Sequence, residues 1–326
     1  MSRAVARKYH KVGEREFVEA IASAARSRGR GVRVGIGDDA AVVDPWPGKL
    51  LLSTDTMVEG THFKRGWLGP AQLGRRAVRV AVSDLAAMGG GLRYLLLSLE
   101  LPTATKPADA LAIVRAVMGE GEELGGVLVG GNVARAPRPA LTVTVVGSAA
   151  GRVLTRAGAA PGDELWVSGH LGQAAAGRRL LAAGKKRGAL VDAFRSPPVR
   201  LALGRRLAGV KAVTAMMDIS DGLVVDLETV CRASAVAVTV NLDSLPISRA
   251  LRASSARPRT DALAGGEDYE LLFAVRGQAA AGTLMGMAAG LAAPLTRIGW
   301  FDKAGTGSRV RDLRGRPLGH GGYRHF

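Results

Sequence analysis

Apolar and polar positions follow two different periods along this chain of 326 residues. Apolar residues at helical spacing predict helices over Glu14–Arg28, Leu73–Gly89, Pro107–Leu124, Gln173–Ala183, Val199–Leu207, Gly222–Ala233, Pro246–Ser254 and Ala279–Leu291. Short apolar runs predict strands over Tyr94–Leu101, Val127–Val129, Ala140–Ala149, Glu164–Ser168, Val213–Met217, Val236–Val240, Leu271–Val275 and Thr296–Gly299. The mixture predicts a mixed α/β fold of the α+β kind.

A change of composition near the middle of the chain predicts a domain boundary. The segment Leu154–Asp163 is rich in Gly and Pro, which favour loops. A length of 326 residues suggests roughly two domains. We therefore expect an N-terminal domain over residues 1–150 and a C-terminal α/β domain over residues 151–326.

Acidic residues border two apolar runs near the N-terminus. The runs Ala40–Val43 and Leu50–Leu52 are joined by a turn-rich segment and predict a hairpin. A hairpin would bring Asp38 and Asp39 close to Asp55, with the hydroxyl groups of Ser53 and Thr54 nearby. Packed carboxylates repel each other, and a hard divalent cation with oxygen ligands would relieve this. The alternative is a polar hairpin end in which these residues only cap turns.

Two more acidic sites lie at positions where burying a carboxylate without a partner would cost free energy. Asp84 interrupts the nearly all-apolar helix Leu73–Gly89, so it needs either an arginine partner from the same helix or the same cation. Asp218 and Asp221 flank Ser220 where a strand enters a helix, and we expect Ser220 to cap that helix. Helix starts also bind phosphates, so this segment predicts a phosphate or metal site.

The composition of the chain favours some classes of function and excludes others. The net charge is +17, from 45 basic and 28 acidic residues, which raises nucleic-acid binding as a hypothesis. The basic residues are scattered without aromatic interleaving, so we expect nucleotides or phosphorylated metabolites rather than nucleic acid. The single cysteine, Cys231, excludes an internal disulfide. No apolar run reaches the length of a membrane span and no signal peptide is evident, so we expect a cytoplasmic protein.

Eight segments in order resemble the thiamine-monophosphate kinase family, part of the ATP-binding superfamily typified by aminoimidazole ribonucleotide synthetase. They are Gly-Ile-Gly-Asp-Asp (35–39), Ser-Thr-Asp-Thr-Met-Val-Glu-Gly-Thr-His-Phe (53–63), Ser-Asp-Leu-Ala-Ala-Met-Gly (83–89), Gly-Gly-Asn (130–132), Thr-Arg-Ala-Gly-Ala-Ala-Pro-Gly-Asp (155–163), Asp-Ile-Ser-Asp-Gly-Leu (218–223), Gly-Gly-Glu-Asp-Tyr-Glu-Leu (265–271) and Gly-Tyr-Arg-His-Phe (322–326). The resemblance implies ATP-dependent phosphorylation of thiamine monophosphate, several Mg²⁺ ions, and a homodimer in which the N-terminal half-barrels pair.

The resemblance also implies roles for individual residues. Metal ligands would be Asp38, Ser53, Thr54, Asp55, Asp84, Asn132, Asp218 and Asp221. ATP contacts would be Gly131, Asn132, Arg156 and Ser220, and substrate contacts would be His62, Glu267 and Tyr323. It implies neither a covalent nucleophile nor a general base, because phosphoryl transfer depends mainly on positioning and electrostatics.

One position departs from the family pattern, which has Gly-Gly-Asp where this chain has Asn132. An amide oxygen can still bind Mg²⁺, but one negative charge is lost, so we expect weaker occupancy of that metal site. Two alternatives stay open: another ATP-dependent synthetase of the superfamily, or a catalytically impaired nucleotide-binding relative. The sister enzymes with a terminal-region cysteine fit less well, because Cys231 is the only thiol.

Overall fold

The structure, a computed structural model, describes residues 20–21, 31–36, 38–277, 282, 284, 286 and 293–319. Apart from isolated positions, the predicted helices Glu14–Arg28 and Ala279–Leu291 lie outside these residues. The chain divides into two units. The first unit consists of Met1–Val82 and Gly91–Ala150, and the second of Ser83–Gly90 and Gly151–Phe326.

The first unit is built on a four-stranded sheet. Its elements are β1 (Val32–Val34), β2 (Val42–Val43), β3 (Lys49–Val58), α1 (Pro70–Ala87, whose end belongs to the second unit), β4 (Gly91–Leu101), α2 (Pro107–Glu123), β5 (Val127–Arg135) and β6 (Ala140–Ala149). The sheet order is β3-β6-β4-β5, and only β4 and β5 are parallel. Helix α2 connects these two parallel strands and packs on both, as a βαβ crossover requires.

The predicted hairpin between Ala40–Val43 and Leu50–Leu52 is wrong. Strand β2 pairs with β1, whereas β3 pairs along its whole length with β6. Ser53, Thr54 and Asp55 therefore lie inside a ten-residue strand rather than at a hairpin end. The long β-branched run of β6 offers β3 ten paired positions, which a short local hairpin cannot match.

Strand β5 is also longer than predicted. The predicted strand ends at Val129, but β5 continues through Gly130 and Gly131 to Arg135. The pairing with β4 shifts register between Leu95 and Leu96, which accommodates the glycines inside the ladder. Asn132 is thus held in a strand and paired with Ser98.

The second unit is built on a six-stranded sheet. Its elements are β7 (Glu164–Ser168), α3 (Gln173–Ala182), α4 (Ala189–Arg195), α5 (Leu201–Gly209), β8 (Val213–Asp218), α6 (Leu223–Ser234), β9 (Val236–Val240), a 3₁₀ turn (Leu242–Ser244), α7 (Arg249–Ser254), α8 (Pro258–Ala264), β10 (Leu271–Val275), β11 (Leu295–Lys303) and β12 (Val310–Asp312). The order is β12-β9-β11-β7-β10-β8, antiparallel except for the β12–β9 pair.

The mixed α+β fold is confirmed, and the buried strands of the second unit explain why it was predictable. Strands β7, β9 and β10 are buried at every position, and their predicted bounds match. Helices α4 and α8 and strand β12 were not predicted, since each is too short to show a period. Among the described residues, no helix is long and apolar enough to span a membrane.

Candidate functional site

Two loops of the second unit are hydrogen-bonded to each other next to the paired strands β8 and β10. We call Asp218–Gly222 the acidic loop and Gly265–Glu270 the facing loop. The Glu267 N–H donates to the Ser220 carbonyl at 2.7 Å, and the Tyr269 N–H donates to the Ile219 carbonyl at 2.9 Å. These bonds continue the β8–β10 ladder, so Glu267 lies beside the acidic loop.

Asp218 is anchored by a residue that sequence reasoning did not assign. Its carboxylate is 4% exposed, and the Ser83 hydroxyl donates to Oδ2 at 2.6 Å. Ser83 lies near the end of α1, in the part that belongs to the second unit. The next residue is Asp84, which is half-buried. The fold therefore brings Asp84 to the part of this unit that holds Asp218.

Helix α1 contains three arginines that could pair with Asp84, and their surroundings differ. Arg79 forms an ion pair with the buried Glu120, with 2.7 Å between Nε and Oε1. Arg75 is exposed, and Arg76 is fully buried. The cation hypothesis for Asp84 stays a prediction.

The expected Ser220 cap is wrong. The N-cap of α6 is Gly222, which has no side chain to cap with. The cap comes from inside the helix, because Asp226 Oδ2 accepts from the N–H groups of Ser220, Asp221 and Gly222. The pKa of Asp226 is raised to about 8, first by burial and then by the negative charges of Asp218 and Asp221. The acidic loop is therefore a place of concentrated negative charge.

The facing loop is strained and tightly anchored. Glu267 and Tyr269 have positive φ angles of 70° and 50°, which are costly for residues other than glycine. The residues between and after them hold the loop in place. The Asp268 carboxylate accepts from the Gly172 N–H at 2.5 Å and the Ala174 N–H at 3.2 Å, at the start of α3. Burial raises the pKa of Asp268 to about 7.

Glu270 supplies a second anchor for the facing loop. Its carboxylate is 4% exposed and accepts two bonds from the Arg200 guanidinium, at 2.6 Å from Nε and 2.5 Å from Nη2. The Ser168 hydroxyl also donates to it. A bidentate, buried ion pair of this kind holds the backbone of the facing loop firmly at Glu270. The sequence signal for this loop is its run of three carboxylates within four residues, Glu267, Asp268 and Glu270.

In the first unit, the candidate ligands of β3 point to opposite faces of the sheet. Successive side chains of a strand alternate, so Ser53 and Asp55 share one face and Thr54 the other. The Thr54 hydroxyl lies 3.0 Å from the Thr144 hydroxyl on β6. If Thr54 binds the same ion as its neighbours, it must do so through its carbonyl oxygen. Asp38 is exposed and accepts from the Asp39 N–H at 2.8 Å.

Gly131 and Asn132 line a cavity of about 160 Å³ in the first unit. The other lining residues are mostly apolar and come from β4, β5 and α2, together with Ile21 and Ile36. Gly131 has a φ of 156°, and a Cβ added there would lie 1.9 Å from the Leu97 carbonyl oxygen. Only glycine fits this backbone, which fixes Asn132 at the rim of an apolar recess.

The other predicted contacts are placed as follows. His62 is half-buried in the turn after β3, and its Nδ1 accepts from the Val58 N–H at 3.0 Å. Arg156 is exposed, and the Ser234 hydroxyl donates to its carbonyl. Tyr323 lies outside the described residues. Within the described part of the chain, no three His, Cys, Asp or Glu side chains form a group that could hold a metal by themselves.

Comparison with known proteins decides the family. Models of AIR synthase related protein match residues 37–153 (N-terminal domain) and 160–311 (C-terminal domain). The thiamine-monophosphate kinase of Salmonella typhimurium is 34% identical over 96% of this chain and 98% of its own length. The chain belongs to the thiamine-monophosphate kinase family.

Solved structures of the family agree with this assignment. The thiamine-monophosphate kinase of Stenotrophomonas maltophilia superposes with a TM-score of 0.81 at 35% identity, over 90% of this chain and 95% of the other. AaThiL in complex with AMPPCP and TMP superposes with a TM-score of 0.77 at 32% identity, over 96% and 97% of the two chains. The likeness extends over both units of the fold.

Proposed function

We propose that this protein transfers the γ-phosphoryl group of ATP to the phosphate of thiamine monophosphate and releases thiamine diphosphate. The observation that carries the proposal is the full-length similarity to a family whose member AaThiL was solved with AMPPCP and TMP. The acidic loop and the facing loop support it, because they place carboxylates and a hydroxyl together in one region of the second unit.

The chemistry of the reaction explains why so many carboxylates are needed. Donor and acceptor are both phosphates, and two like unit charges about 4 Å apart repel by about 1–4 kcal/mol. Bound Mg²⁺ would neutralise and align their oxygens. No general base is needed, since the acceptor phosphate is already ionised. The task of the chain is therefore to hold ions and phosphates in line.

The residues present fit Mg²⁺ in their donor chemistry. Carboxylate and hydroxyl oxygens are the ligands that this ion prefers. The upward effect of Asp218 and Asp221 on the pKa of Asp226 supports a cation near the acidic loop. We propose as ligands Asp38, Ser53, Thr54, Asp55 and Asn132 in the first unit, and Asp84, Asp218 and Asp221 in the second.

The remaining residues are proposed to bind the organic substrates. Gly131 and Arg156 would contact ATP together with Ser220. His62, Glu267 and Tyr323 would contact thiamine monophosphate. The facing loop has a strained backbone at Glu267. Backbone strain occurs preferentially at functional sites, which supports the proposed role of Glu267. Tyr323 offers an aromatic face for the cationic thiazolium ring.

We also propose a homodimer in which the first units pair. Strand β3 is an edge strand of the described four-stranded sheet, and its Leu50 and Leu52 are 61% and 70% exposed. Unpaired edges and exposed apolar side chains favour pairing with another strand. In sedimentation, Leu52→Glu should give monomers, while the control Leu313→Glu in the second unit should stay dimeric. A monomeric wild-type protein would contradict the proposal.

A direct assay tests the activity. The protein is incubated with γ-labelled ATP, Mg²⁺ and thiamine monophosphate, with unphosphorylated thiamine as the matched control acceptor. We expect label in thiamine diphosphate and none in the control. Bound ATP without product would instead favour the impaired relative that Asn132 suggests.

A cytoplasmic location is also proposed, on the composition alone.

A further inference from the structure

Asp226 accepts hydrogen bonds from three consecutive backbone N–H groups of the acidic loop. It lies in the first turn of α6 and is 1% exposed. Its Oδ2 lies 3.1 Å, 3.2 Å and 3.1 Å from the backbone nitrogens of Ser220, Asp221 and Gly222. One carboxylate oxygen thus receives three consecutive N–H groups.

Free N–H groups at the start of a helix normally bind a capping side chain or an anion such as phosphate. Here a buried carboxylate of the same helix binds the three N–H groups that lead into the helix, from Ser220 to the N-cap Gly222. Ser220, Asp221 and Gly222 therefore have no N–H left to offer a phosphate group. A phosphate next to this loop would therefore be bound by side chains, by ions or by donors outside residues 220–222.

The carbonyl side of the same loop is fixed as well. The carbonyl groups of Ile219 and Ser220 accept from the facing loop. Gly266 approaches so closely that an added Cβ would lie 2.5 Å from the Ser220 carbonyl oxygen. The N–H groups of Ile219 to Gly222 and the carbonyl groups of Ile219 and Ser220 are thus bound by the protein itself, which holds the backbone of the acidic loop in place.

We propose that Asp226 is a positioning residue that sets the conformation of the acidic loop before any ligand binds and keeps its N–H groups from phosphate. Asp226 acts through Asp218, Ser220 and Asp221, which carry the ligand contacts. Only the kinetic part of the test rests on the proposed function; the backbone part does not.

Amide hydrogen exchange tests the backbone part in the wild-type protein. We expect the amides of Ser220, Asp221 and Gly222 to exchange slowly without ligand, and AMPPCP with Mg²⁺ to leave their rates unchanged. Rapid exchange without ligand, or protection that appears only with AMPPCP and Mg²⁺, would overturn the proposal. This result stands whether or not the protein is a kinase.

Two substitutions test the kinetic part. Asp226→Asn keeps an oxygen that accepts the three N–H groups, so kcat should stay within about threefold of wild type. Asp226→Ala removes the acceptor and should lower kcat at least about thirtyfold, raise the half-saturating Mg²⁺ concentration, and speed exchange at the three amides. The control Asp192→Ala, an exposed first-turn carboxylate of α4, should change neither value.

The outcomes separate the possible roles. Equal losses in Asp226→Asn and Asp226→Ala would mean that the charge itself is required, which contradicts positioning. An Asp226→Ala protein with wild-type kinetics and exchange would also contradict it. If Asp226→Ala does not fold, the wild-type exchange rates and the Asp226→Asn kinetics decide.

Discussion

The two units hold their candidate residues in different ways. In the second unit, Asp218, Ser220 and Glu267 lie on loops that are fixed by hydrogen bonds and by buried carboxylates. In the first unit, Asp38 and Asn132 are exposed. The acidic loop is preorganised by the protein, whereas the first unit relies on the backbone of its sheet and on the ions it is proposed to bind. Preorganised groups bind without a further ordering cost.

The largest effect should come from Gly131 in the first unit, because the backbone at this position leaves no room for a side chain. Gly131→Ala places a Cβ against the Leu97 carbonyl oxygen and should lower the free energy of unfolding by about 3–5 kcal/mol. The control Gly119→Ala, in α2 with open space around its Cβ, should be neutral or stabilise by about 0.5–1 kcal/mol. Chemical denaturation measures both. Equal stabilities would mean that the strand is not constrained at Gly131.

The next effect concerns Asp268, which anchors the facing loop, and the dependence of protein stability on pH. Burial raises the pKa of Asp268 to about 7, so the folded state binds a proton that the unfolded state releases near pH 4. The contribution of this group to stability is therefore present at low pH and falls as pH rises towards 7. Asp268→Asn cannot titrate, so its stability relative to wild type should rise by about 2.5 kcal/mol from pH 5 to pH 8. A difference between the two proteins that does not change with pH would refute this.

A smaller effect is expected at Asn132. Asn132→Asp restores the missing negative charge and should lower the half-saturating Mg²⁺ concentration about tenfold, which corresponds to about 1.4 kcal/mol. The control Asn241→Asp changes an amide that caps a 3₁₀ turn and should leave the Mg²⁺ dependence as it is. Unchanged activity and unchanged Mg²⁺ dependence in Asn132→Asp would show that residue 132 is not a ligand.

The smallest effect is expected at the hydroxyl that orients Asp218. Ser83→Ala removes one hydrogen bond to a buried carboxylate, which contributes about 1 kcal/mol, so kcat/KM should fall about fivefold. Ser308→Ala, whose hydroxyl bonds to the Val310 carbonyl, serves as the control and should keep wild-type kinetics. A Ser83→Ala protein with the same steady-state constants as wild type would remove Ser83 from the site.

What the sequence could predict differs between the units for a physical reason. Strands such as Val236–Val240 are buried on both faces, and their apolar runs mark both ends. The partner of β3 was missed because the pairing of Lys49–Val58 with Ala140–Ala149 depends on contacts distant in sequence. The Asp226 cap was missed because a carboxylate inside a helix resembles any first-turn acid until the hydrogen bonds are known.

Locating divalent ions tests the central claim most directly. Crystals grown with AMPPCP, thiamine monophosphate and Mn²⁺ in place of Mg²⁺ would reveal the ions by anomalous scattering. The account predicts Mn²⁺ bound to the carboxylates of Asp55 and Asp218. Ions found only elsewhere, with both carboxylates uncoordinated while AMPPCP is bound, would contradict it.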